Sequence, residues 1–214
     1  MHFFQVLPLF AGLAASLATP VHLEQRQAGP QNVQIAEIAF TGTGCPARTI
    51  AAQTVSNATT IDVPQVVFKA ESGLNGTRVV ETRQNCQIII RVNHAAGWQF
   101  SVVKADYYGR VALAQGAEAT SRTTYSFSGM LTHGVQKQRS SQYYFDGPFN
   151  GLYFRNDRYV GTARQWSPCG SGSSLNITSE VRVAPIGAGV NRPASMEIFN
   201  LLGGKLGLNW QTCR

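Results

Sequence analysis

Apolar and polar side chains alternate with a period of two through much of the chain, most persistently between Asn85 and Gly129. Ile88, Ile90 and Val92 alternate with Gln87, Ile89 and Arg91; Trp98, Phe100 and Val102 alternate with Gln99, Ser101 and Val103. Tyr125 and Phe127 sit between Thr124, Ser126 and Ser128. Successive side chains of a strand point to opposite faces, so this period marks strands with one covered face. The stretch predicts three consecutive antiparallel strands, and the rest of the chain must supply the sheet that covers them. The inward phase changes from Trp98/Phe100/Val102 to Val111/Leu113, which places a turn or bulge at Asp106-Tyr107-Tyr108-Gly109.

Val33 to Phe40, Ile50 to Val55 and Ile61 to Ala70 are further predicted strands, with Pro64 pushing the last toward an edge or bulge. From Gln142 onward, short strands are broken by Asp146-Gly147-Pro148, Asn150-Gly151 and Asn156-Asp157. LNITSEVRV, MEIFNLL and LGLNWQTC complete the set. No segment keeps a 3.6-residue apolar period for three turns, so helix should be scarce. The expected fold is all-β: an antiparallel β-sandwich, jelly-roll-like, with little helix.

Residues 1–18 change the picture of where the protein works. Phe3 to Ala18 is apolar, carries no charge and ends on Ser16 and Ala18, the pattern of a secretory signal peptide. The run is too short for a spanning helix, and no later segment is a candidate for one. Residues 19–37 read as a short propeptide or flexible amino-terminal segment, with Arg26 a candidate processing site, and residues 38–214 as a single secreted domain. Cys45, Cys86, Cys169 and Cys213 all lie beyond the leader. An even count in an exported chain argues for two disulfides; spacing leaves three connectivities open, of which we favour Cys45–Cys86 and Cys169–Cys213. Sequons at Asn57, Asn75 and Asn176 are expected glycosylation sites. Asn176 should face outward with Thr178, Glu180 and Arg182, opposite Leu175, Ile177, Val181 and Val183.

The formal charge of the 214-residue chain is +7. Its basic residues are scattered singly, which argues against a nucleic-acid footprint; outside the cell the available polyanions are acidic polysaccharides and glycoproteins. Metal and cofactor chemistry finds little support: His94 and His133 lie far apart, and the cysteines are better used in disulfides. A Ca²⁺ loop around Asp146, Asn150, Asn156 and Asp157 is conceivable, but turn formation explains the same residues. There is no G-x-S-x-G elbow. Asp106, Glu118, Asp146, Asp157 and Glu180 form the pool for a glycosidase-type acid and base, with no pair singled out.

Taken together, Gly42-Thr43-Gly44-Cys45-Pro46, Asn85-Cys86-Gln87, Gly97-Trp98-Gln99-Phe100, Ser126-Phe127-Ser128-Gly129 and Leu208-Asn209-Trp210-Gln211-Thr212-Cys213 resemble a family of small secreted fungal and bacterial proteins. That family is known only as a domain of unknown function. Tyr108-Gly109 stands where the resemblance leads one to expect an Arg-Gly pair. The resemblance covers nearly the whole mature chain and implies secretion, an all-β fold and paired cysteines, with no activity and no catalytic residues.

The segment Tyr143 to Trp166 holds eight aromatic residues interleaved with Arg155, Arg158 and Arg164. Tyr, Trp and Arg are enriched at binding surfaces, although aromatic strand-formers also fill cores. Along Leu152 to Arg155, one face carries Leu152 and Phe154 and the other Tyr153 and Arg155. Tyr153, Arg155, Arg158, Tyr159 and Trp166 are the expected ligand-binding residues, with arginine favouring an acidic glycan. The function expected is that of a monomeric, secreted, cell-wall-associated binding protein for extracellular polysaccharide or glycoprotein. It needs no metal or cofactor; the alternative is a cell-wall polysaccharide hydrolase.

Overall fold

The computed structural model describes residues 29–54, 58–73, 82–132, 135–159, 164–185, 192–200 and 204–213, and these are almost entirely strand. The leader, Arg26, Asn57, Asn75 and His133 lie outside the described residues.

One strand, β5 (Arg83–Leu113), runs for 31 residues through both layers of the molecule. Its first half pairs with β1 (Gln34–Thr41) on one side and β9 (Gly170–Pro185) on the other. Beyond β1 lies β2 (Arg48–Thr54); beyond β9 come β6 (Ala117–Thr132) and β7 (Val135–Asp146). The first sheet therefore runs β2-β1-β5-β9-β6-β7, all antiparallel. From Trp98 onward β5 belongs to the second sheet, between β8 (Phe149–Arg158) and a split flank. That flank consists of β11 (Lys205–Thr212) with β3 (Thr60–Asp62), and β10 (Ala194–Asn200) with β4 (Phe68–Ser72).

Two features of this stretch correct the sequence expectation. The runs around Ile88 and Phe100 are one strand, and β6 reaches β5 only through β9. Gly97, at φ 79°, and a break in pairing between Asn93 and Trp98 let the chain change sheets without ending. The phase slip falls at Val103, where β11 pairs Gly207 with Lys104 but Leu208 with Val102. It is a bulge, and Asp106 to Gly109 continue as regular strand.

The inner faces close on one apolar core. Ile88, Ile90 and Val92 of β5 and Leu175 and Ile177 of β9 have no exposed surface. Full burial of such a side chain stabilises by about 1.5–3 kcal/mol. Phe100 packs edge-on against Phe127 of the opposite sheet at 5.2 Å and tilted against Trp210 at 5.1 Å. Val33 and Ile35 are also buried, so the packed body begins before Ile38. The run from Ile61 to Ala70 is split into β3 and β4, with Pro64 in the gap, as a residue lacking an amide donor requires. Disulfides join Cys45 to Cys86 and Cys169 to Cys213, the pairing favoured from the sequence. The first ties the turn after β1 to the start of β5; the second ties the entry to β9 to the end of β11.

Candidate functional site

β8 is an edge strand of the second sheet, and its two faces have different fates. Tyr153, Arg155 and Asp157 point inward and are buried, whereas Leu152, Phe154 and Arg158 point out. Tyr153 sits opposite Gly109, where a Cβ would stand 2.2 Å from Glu197 O and 2.3 Å from the Tyr153 ring. Only glycine lets that ring lie flat against β5.

Inside, Arg155 reaches across the sandwich to β6. Nη1 donates to Ser121 Oγ at 2.9 Å, Nη2 donates to Thr123 Oγ1 at 2.5 Å, and the guanidinium lies over the Tyr107 and Tyr143 rings. Asp157 Oδ2 lies 3.4 Å from Arg155 Nη2. The same oxygen accepts hydrogen bonds from Tyr125 Oη at 3.0 Å and Ser141 Oγ at 2.6 Å. Tyr125 and Tyr107 share a short hydroxyl contact. Burial pushes the Tyr153 and Tyr159 hydroxyls up to about 12. It raises those of Tyr107 and Tyr125 as well. Hydroxyls around a buried ion pair offset part of its desolvation, and this pair is wrapped in them, although Arg155 Nε has no hydrogen-bond partner.

The burial of Tyr153, Arg155 and Tyr159 corrects their expected place on a surface: they are interior, and Arg155 is committed to Asp157. Trp166 is half-buried in the segment before β9, and Arg158 alone of the five is openly exposed.

The outer face of β8 and β5 carries the exposed aromatics Tyr108 and Phe154; Tyr143 and Tyr144 are exposed on β7. Tyr108 and Phe154 are directly opposite in register, with ring centroids 4.9 Å apart. Phe154 is 56% exposed, Leu152 74% and Tyr108 39%. Outward pairs repeat along the two strands: Lys104 with Arg158, Asp106 with Asn156, Tyr108 with Phe154, Arg110 with Leu152, Ala112 with Asn150. Each step is about 7 Å, two residues of strand rise. At the Ala112 end the face opens into a cleft of about 250 Å³ bordered by Phe149 and Pro193.

The family described as a domain of unknown function (DUF4360) matches residues 31–213, which takes in every strand above. The chain belongs to this family. An "Uncharacterized secreted protein" of Arthroderma benhamiae is 34% identical to the DUF4360 chain over 154 residues, 72% of this chain. The match spans 60% of that relative's length. Among solved structures, TmCBM61 in complex with beta-1,4-galactotriose aligns over 82% of this chain and 88% of its own, at 9% identity and a TM-score of 0.29. A GH31 alpha-xylosidase from Xanthomonas citri aligns over 88% of this chain and 19% of its own, at 8% identity and a TM-score of 0.18. Scores that low bear on neither fold nor function.

The candidate carboxylates of the DUF4360 chain fall at separate places, apart from one facing pair. Asp106 is engaged by Lys104 and Asn156, and Glu180 by Arg83. Asp157 is interior, while Glu118 and Asp146 face each other across β6 and β7 on exposed strand. No carboxylate borders the cleft beside Phe149. Asn150 and Asn156 stand on the outer face of β8 and Asp157 on its inner face, so the conceivable Ca²⁺ loop is a strand. Among the described residues no group of three His, Cys, Asp or Glu side chains converges as a metal site. His94 is packed edge-on against Phe100 and Trp210 in the core. Asn176 faces outward in the middle of the first sheet, as expected, and its Nδ2 donates to Ser128 Oγ at 3.2 Å.

Proposed function

We propose that this secreted DUF4360 protein is a non-catalytic extracellular binding protein that holds a polysaccharide chain along the outer face of its second sheet. The observation that carries the reading is the exposed Tyr108–Phe154 pair with Leu152 beside it, on the outer face of an edge strand and its neighbour. Contiguous exposed apolar surface of this kind marks interaction sites, and the C–H faces of sugar rings lie well against aromatic planes. The extracellular setting agrees with two disulfides and a secreted relative. The same reading takes residues 1–18 as a removed leader and residues 19–37 as a propeptide or amino-terminal segment that Val33 and Ile35 anchor to the core. It takes the chain as a monomer at the cell wall, with Asn57, Asn75 and Asn176 as glycan acceptors.

Incubating the purified protein with insoluble and soluble polysaccharides tests it, with depletion from solution and sugar release both measured. Depletion without sugar release is the expected result. Each aromatic contact is worth about 1 kcal/mol, so the Tyr108→Ala/Phe154→Ala double variant should bind about thirtyfold more weakly. Unchanged retention by that variant, with the fold intact, overturns the reading. The hydrolase alternative has one observation in its favour, the facing Glu118 and Asp146, and sugar release abolished by Glu118→Gln would establish it.

A further inference from the structure

We infer that the sugar this face prefers carries an acetamido group, and that the cleft beside Phe149 reads it. The inference rests on the proposal that the Tyr108–Phe154 platform binds a glycan. The Ala112–Asn150 rim of the cleft lies two outward pairs along from the platform, about 14 Å, while Leu113 and Phe149, on the inward phase, form its far wall. The cleft opens at the strand ends, where one extended chain lying on the outer face can reach it. Its volume of about 250 Å³ is below the range of whole-ligand pockets, roughly 300–1,000 Å³, and suits a substituent.

The lining has the three properties an acetamido group needs. Ala112, Ala114, Phe149 and Pro193 offer an apolar recess for a methyl group. Asn150 offers a donor for the carbonyl: Arg110 Nη2 donates to Asn150 Oδ1 at 3.1 Å, and a guanidinium has no acceptor. The carboxamide oxygen must therefore face Arg110, which leaves the Asn150 NH₂ as its free donor at the cleft. Ser195 borders the same space with a hydroxyl that can accept from the amide N–H. The walls are held before any ligand arrives. Ala114 N–H donates to Pro193 O at 3.0 Å, Gly147 N–H to Ala117 O at 2.8 Å, and Arg192 Nη1 to Gln115 O at 2.8 Å.

Charge argues for a neutral ligand over an acidic one. On this face Lys69, Lys104, Arg110 and Arg158 are set against Glu71, Asp106 and Glu197. Lys69 and Lys104 are already paired, and Arg155 is interior. A ring bearing only hydroxyls would leave the apolar recess unfilled.

The test compares, by calorimetry on the full mature protein, three oligosaccharides of equal length: β-linked N-acetylglucosamine, its fully de-N-acetylated form and β-linked glucose. The acetylated oligomer should bind on the order of tenfold tighter than either of the others. Asn150→Asp keeps an acceptor for Arg110 but removes the NH₂ donor, and Ala112→Leu fills the recess. Each should erase the preference while leaving residual binding, whereas Tyr108→Ala/Phe154→Ala should weaken all three oligomers together. Equal binding of the glucose and acetylated oligomers, or tighter binding of the amine form, overturns the inference. The platform reading survives that result if the Tyr108/Phe154 variant still weakens binding. Binding of all three oligomers unaffected by the Tyr108/Phe154 variant overturns both.

Discussion

The Arg155 guanidinium lies 3.8 Å from the centre of the Tyr107 ring, between the two sheets, with no access to solvent. A cation is tolerated there because Asp157, Ser121, Thr123 and the ring face together replace its hydration. Arg155→Ala should destabilise the fold by about 3–5 kcal/mol, because it strands Asp157 in the interior. Replacing both partners, as in Arg155→Met/Asp157→Leu, should cost much less than the sum of the single changes. Urea unfolding midpoints of the four proteins check this. If Arg155→Ala instead leaves stability unchanged, the cluster is solvated and the burial is wrong.

The buried tyrosines set an upper pH limit. An unfolded tyrosine ionises near 10.0, whereas Tyr153 and Tyr159 in the fold hold their protons up to about 12 because burial disfavours phenolate. A folded-state value above the unfolded one means that stability is fully present below pH 10 and falls as pH rises toward 12. Tyrosinate absorbance from the buried groups should therefore appear together with loss of structure.

Binding to the outer face should depend only weakly on salt. Its cations are nearly matched by carboxylates, and stacking on Tyr108 and Phe154 is not screened. Raising the salt from about 0.1 M to about 1 M, which shrinks the Debye length from about 10 Å to about 3 Å, should change affinity by less than about threefold. A loss of a hundredfold would mean that Arg110 and Arg158 pair with ligand anions.

Gly109→Ala should destabilise by about 1–3 kcal/mol through overpacking, since the new methyl meets a backbone oxygen and the Tyr153 ring together. Gly129→Ala is a useful contrast: nothing lies near its Cβ, so any cost comes from its φ of 82° alone.

Much of the fold was legible because period-two alternation reports which side chains share a face. Leu152/Phe154 and Tyr153/Arg155 were separable on that ground alone. Which face turned inward was not, because Arg155 reads as a surface residue until Asp157 and the β6 hydroxyls are brought to it by pairings far apart in sequence. Tyr108 falls within the expected turn or bulge because the phase slip at Val103 is three residues upstream of where the apolar pattern suggests it. Asn150 reads in the sequence only as a turn former or conceivable Ca²⁺ ligand; its contact with Arg110, forty residues away in sequence, carries no sequence signal.

The passage of β5 from one layer to the other makes the two sheets a single cooperative unit. Neither layer can shed its central pairing without tearing the strand that the other layer also needs. Amide protons on both halves of β5, Ile88 and Val111 alike, should exchange with solvent only through whole-molecule opening and show one common free energy. Because that opening must break pairings between segments distant in the chain, refolding should be slow and all-or-none.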